Sequence, residues 1–197
     1  MGRLLKFKGL GKKLAVTLVA TATIGMASNE ASARTYIVNG LASAVPFIGY
    51  GMNNLGKKIP GSKVFSYITS IEGNNIIKPN ILKDIQARYA RNPNEPINLI
   101  GISYGANMVS DIASKLAAKG IPVNYLGIIE GTSLKAIKAN VRKADNFICT
   151  GPECTKRRIG KASGNTVTKI GQFTYKDGHI DLGNNKAVHS KIISGIR

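Results

Sequence analysis

Apolar residues after position 34 recur in two rhythms that alternate along the chain. Residues 36–39 are a β-branched run closed by Gly40, residues 63–69 alternate apolar with polar, and Ile97–Ile102 and Val123–Ile129 are almost continuously apolar. Runs of this length, bounded by Gly, Pro or Asn, predict strands, and residues 145–149 and 166–175 predict two more. Residues 79–89 instead place Ile81, Leu82, Ile85 and Tyr89 three or four apart, and residues 104–119 do the same with Met108, Val109, Ile112, Ala113 and Leu116. That spacing predicts helices; Pro79 suits the first turn of one, and Gly120 with Pro122 stops the other. A short glycine-broken helix is expected over residues 45–55. The last is expected over residues 186–196, with Val188, Ile192 and Ile196 on one face and Asn184 or Asn185 as its cap. Strands alternating with helices imply an α/β fold with a largely parallel sheet. The polar, glycine-rich residues 149–165 predict a long loop.

The first 33 residues follow another pattern. Five bases precede Leu14, an apolar run rich in Ala and Thr reaches Met26, and Ala31-Ser32-Ala33 follows. This is the layout of a secretory signal peptide, and the run falls short of the roughly 20 apolar residues that span a bilayer. Cleavage is expected before Arg34, leaving residues 34–197 as one domain in the periplasm or outside the cell. Export changes the meaning of Cys149 and Cys154, which flank a Gly-Pro turn: an oxidising compartment would join them as a small-loop disulfide.

Composition narrows the chemistry. With 43% hydrophobic residues the chain is not of a disordered class, and 2 His and 2 Cys cannot assemble a multi-histidine metal centre. No metal or organic cofactor is called for. From Arg34 onward, 23 Lys and Arg stand against 9 Asp and Glu, a balance of +14. Such an excess favours an anionic partner such as a membrane or cell-envelope surface. The charges are spread out, with only Lys156-Arg157-Arg158 as a run, which argues against nucleic acid.

Gly101-Ile102-Ser103-Tyr104-Gly105 lies between the clearest strand and the clearest helix. A tight strand-to-helix turn of this composition lifts the central hydroxyl above the sheet edge, where the first N–H groups of the helix face it. Here the sequence resembles the α/β-hydrolase superfamily, in particular its small bacterial lipase, esterase and thioesterase-like members. The likeness is specific at Val38–Leu41, at Gly101–Ala106 and at Gly178–Asp181. It implies a minimal three-layer fold with a sheet of about five or six strands, lacking the first strands of larger members. It also implies a Ser, acid, His triad in that chain order, with a small-molecule or lipid ester as substrate.

Ser103 is then the nucleophile. Of the two histidines, His179 precedes the last helix on a loop, whereas His189 sits within that helix and reads as a surface or half-buried packing residue. Glu130 ends the strand expected beside the nucleophile strand, so in a parallel sheet both open on the same edge. Asp177 and Asp145 are the alternative acids, Asp177 as a turn residue near His179 and Asp145 at the start of its strand. Asp111 reads as solvent-facing. The oxyanion donors are expected to be the backbone N–H groups of Tyr104 and of Leu41 or Ala42, with Phe47, Ile48 and Tyr50 near the acyl group. Two functions stay open: an exported serine hydrolase of esters or thioesters, and a non-catalytic basic envelope protein with a hydrolase-like fold that binds an anionic partner.

Overall fold

The computed structural model describes residues 33–45 and 50–197, so the expected signal segment up to Ser32, and Phe47 and Ile48, lie outside the described residues. Six strands, β1 (Arg34–Val38), β2 (Lys63–Phe65), β3 (Ile97–Ile102), β4 (Val123–Ile129), β5 (Val141–Cys149) and β6 (Lys169–Tyr175), pair in the order β2-β1-β3-β4-β5-β6. Every pairing is parallel. The chain runs outward from β1 to β2, then crosses back to β3 and continues to the other edge. The reversal between β1 and β3 opens a crevice at their carboxyl ends, the place where open α/β sheets bind ligands.

Helices cover both faces, which is why β3 is buried along its entire length and reads as a continuous apolar run. Against one face lie α3 (Lys78–Arg91) and α4 (Tyr104–Ala117), whose Ile81, Ile85, Val109, Ile112 and Leu116 pack on Tyr36, Leu99, Leu126 and Ile128. Against the other lie α1 (Tyr50–Lys57) and α5 (Lys186–Gly195), whose Met52, Leu55, Val188 and Ile192 meet Ile37, Ile100, Ile129 and Phe147. A short helix, α2 (Ser70–Glu72), runs through a π turn at Gly73–Ile77 into α3. Asn185 caps α5, its side chain accepting from the N–H groups of Ala187 and Val188.

Two strands differ most from the pattern reading. β2 stops after three residues because the next polar groups bond elsewhere: Tyr67 and Ile68 offer their carbonyls to the N–H groups of Ala44 and Ala42, and Thr69 caps α2. β5 begins four residues earlier than expected, since Lys143 lays its ammonium 5.7 Å from the Tyr125 ring and leaves the strand amphipathic at its start. Asp145 is therefore in mid-strand, not at its beginning. His189, expected at the surface or half-buried, is 2% exposed.

Candidate active site

β3 delivers Ser103 into a backbone conformation with φ 55° and ψ −122°, at the first turn of α4. That is left-handed space for a residue with a side chain, and it aims the hydroxyl away from the helix axis. The turn closes only because its flanks are bare: a Cβ at Gly101 would run into the backbone of Gly105, and one at Gly105 into the carbonyls of Val38 and Asn39. Ser103 N–H is fixed by Ile129 O at 2.8 Å, which ties the elbow to the end of β4.

The residue after Ile129 is Glu130, also at positive φ (47°) and 1% exposed. Its carboxylate accepts three hydrogen bonds: Oε1 from Cys149 N–H at 2.7 Å, and Oε2 from Thr155 N–H at 2.8 Å and Thr155 O–H at 3.1 Å. Charge-assisted bonds of this kind offset the desolvation of a buried carboxylate. His179 Nδ1 lies 3.7 Å from the same Oε2 and has no hydrogen-bond partner. A full hydrogen bond needs roughly 2.7–3.2 Å, so a small movement of the ring would seat one.

Ser103 and His179 line one cleft of about 220 Å³ with Asn39, Leu41, Met52, Ile102, Ile180 and Gly183 among its walls. The two side chains share it without a direct hydrogen bond. Leu41 borders the cleft, while Ala42 N–H is committed to Ile68 O at 3.2 Å. Of the two expected oxyanion donors in that loop, Leu41 alone is therefore free to serve beside Tyr104, whose N–H at the first position of α4 has no partner inside the helix. The Tyr104 side chain turns away, its hydroxyl 2.6 Å from Asn74 Nδ2.

The other candidate acids have different occupations. Asp177 Oδ2 accepts from Asn185 Nδ2 at 2.9 Å and so steadies the cap of α5. Asp145 is buried under the sheet with Tyr125 O–H at 3.1 Å and Lys143 Nζ at 3.3 Å. Asp111, expected to face solvent, is partly exposed and pairs with Lys78 at 3.1 Å and Lys115 at 3.7 Å. The structure brings together Ser103, His179, Glu130, Leu41 and Tyr104. Thr155 and Glu153, which touch Glu130 and His179, carried no signal in the sequence because they sit in an aperiodic polar loop. One group of metal-ligand type occurs among the described residues, Glu130 with Cys149 and Cys154, but the two sulfurs form a disulfide with Cα atoms 5.5 Å apart and offer no thiolate.

A parallel sheet with a strained serine elbow at its switch point is the arrangement of an α/β-hydrolase-like fold. No family model matches the chain, and no curated protein matches it by sequence. Solved structures do resemble it. The type II thioesterase BorB from the borrelidin biosynthetic cluster has 13% identity over 84% of this chain and 94% of that one, with a TM-score of 0.54. The thioesterase domain SrfTE, associated with cyclization of the lipopeptide antibiotic surfactin, has 12% identity over 82% and 90%, with a TM-score of 0.53. The NocB thioesterase domain from the nocardicin cluster has 12% identity over 84% and 94%, with a TM-score of 0.52. At these identities the likeness establishes the fold, and it is the one the elbow sequence resembles.

Proposed function

We propose that this protein is an exported serine hydrolase that cleaves a carboxylic ester or thioester. The observation that carries the reading is Ser103, held at φ 55° in the elbow, with His179 across the same cleft and a buried Glu130 carboxylate 3.7 Å behind the imidazole. In this reading Ser103 Oγ attacks the acyl carbon while His179 takes its proton and later returns it to the leaving alcohol or thiol. Glu130 orients the ring and stabilises the imidazolium. The N–H groups of Leu41 and Tyr104 receive the oxyanion, and water repeats the sequence to free the acid.

The walls of the cleft favour an apolar acyl group, because Leu41, Met52, Ile102 and Ile180 line it. Leu41 and Ile180 are 47% and 61% exposed, so the apolar surface continues onto the rim. Thioesterases among the structural neighbours support a thioester as readily as an oxygen ester. The N-terminal pattern supports export, and the basic balance supports work beside an anionic envelope surface. The test is labelling of the purified protein with a fluorophosphonate: one adduct is expected, on Ser103, and none in Ser103→Ala. An adduct on another serine, or no adduct at all, would overturn the enzyme reading.

A further inference from the structure

The loop after β5 begins as a ring closed by the Cys149–Cys154 disulfide, and this ring and the residue after it touch both partners of the nucleophile. Thr155 gives its N–H and O–H to Glu130 Oε2, the very oxygen that faces His179 Nδ1. Glu153, exposed at the tip, accepts the backbone N–H of His179 on Oε1 at 2.8 Å. The backbone N–H of Glu153 itself, and after it that of His179, hold its carboxyl below the ordinary glutamate range. The neighbours leave room for it: a Cβ at Gly178 would stand 2.7 Å from Glu153 Oε1, and one at Gly151 would stand 3.0 Å away.

We propose that the Cys149–Cys154 ring is a redox-sensitive clamp that sets the Glu130–His179 geometry, with Glu153 and Thr155 as its positioning residues. The inference rests on the hydrolase reading above. Apart from the sulfur bridge, the backbone of the ring is tied across itself by a single turn bond, Cys154 N–H to Gly151 O at 3.2 Å, among the described residues. With the bridge intact, the grips on His179 and on Glu130 Oε2 are fixed relative to the end of β5. With it open, Cys149 N–H stays on its strand and keeps Glu130 Oε1, while Glu153 loses its covalent tie to the end of β5 and Thr155 is held only by its hydrogen bonds to Glu130 and Gly131. The acid and the base are then free to separate, although the sheet and both cores are untouched.

The half-buried Cys154 sulfur is the one a thiolate can reach, since Cys149 is fully buried. A dithiol reductant attacks Cys154 Sγ, the S–S bond breaks, and Cys149 leaves as a thiolate that takes a proton. The second thiolate of the reductant then displaces Cys154, which is protonated in turn. The protein gains two electrons and two protons, and the dithiol departs as a cyclic disulfide.

Steady-state hydrolysis of p-nitrophenyl acetate by the oxidised protein, by the reduced protein and by Glu153→Ala and Glu153→Gln tests this. Alkylation mass counts the free thiols, and near-ultraviolet circular dichroism reports the fold. Reduction should lower kcat roughly ten- to hundredfold, the scale set by an ångström of misplacement, with KM within about twofold and recovery on reoxidation. Glu153→Ala should lose kcat in the same sense with its disulfide intact, and Glu153→Gln, which keeps an acceptor for His179 N–H, should restore most of it. A folded, doubly alkylated protein with unchanged kcat overturns the clamp, as does Glu153→Ala with unchanged kcat; the latter holds even if reduction unfolds the chain. Oxidised wild type with neither turnover nor a Ser103 adduct overturns the hydrolase reading itself, and the clamp with it.

Discussion

Replacing Glu130 by Gln removes a charge and, because of where its oxygens sit, also removes a hydrogen bond whichever way the amide turns. With the amide oxygen towards Cys149 N–H, the NH2 group faces Thr155 N–H and presses a donor on His179 Nδ1. With the oxygen towards Thr155, the NH2 group faces Cys149 N–H instead. One buried N–H is orphaned in either rotamer, at a cost of about 1–3 kcal/mol. For a domain of this size that lowers Tm by roughly 2–4 °C per kcal/mol. Activity should fall much further, by about three to four orders of magnitude, the scale seen when a triad carboxylate becomes an amide. The assay is kcat/KM on a p-nitrophenyl ester beside a calorimetric melt, with Asp177→Asn as the control that keeps its partner Asn185 and should stay within a few-fold of wild type. A Glu130→Gln protein that retains a tenth of wild-type turnover, or an Asp177→Asn protein that loses as much, would refute the assignment of the acid.

Three further outcomes follow from particular geometries. Ser103→Gly should abolish hydrolysis yet melt higher than Ser103→Ala, by about 1 kcal/mol or more, because glycine adopts φ 55° without strain; equal melting points would mean the elbow stores none. His189 donates Nε2–H to Gly183 O at 2.7 Å and accepts from Lys58 Nζ 3.3 Å from Nδ1, so the fold requires the neutral ring, and burial pushes its pKa below 6.5. The unfolded chain then binds a proton that the folded one resists, so stability should fall as pH drops below about 6.5 with a slope of up to about 1.4 kcal/mol per unit, and His189→Gln should flatten that slope in urea melts at successive pH values. Protein recovered from its native host should have Arg34 as its first residue and carry no free thiol, which intact mass before and after alkylation checks directly.

Much of this architecture is written in periodicity. β3 and β4 were legible to the residue because burial on both faces leaves an unbroken apolar run, and α4 because its core stripe is bounded by an elbow and a glycine. The place of Glu130 followed from parallelism alone: adjacent parallel strands end at one edge. β2 was read too long, since alternation persists through residues 66–69 although their hydrogen bonds serve a neighbouring loop and a helix cap. Asp145 was misplaced because the exposed Arg142 and half-buried Lys143 disguise the start of β5. The loop that grips Glu130 and His179 has no period at all, and its role depends on contacts spanning 19 to 26 residues.

The strand order has one more consequence, for the timing of assembly. The chain lays down one edge and the centre of the sheet first and its far edge last, so Ser103 and Glu130 can be in register before His179 arrives. His179 enters with the segment that also carries α5, whose Val188 and Ile192 close the second core. A nascent or truncated chain lacking the last 20 residues or so holds the serine elbow without His179 and a sheet face covered by α1 alone. On the proposed roles, reactivity and completion of the fold would then arrive together.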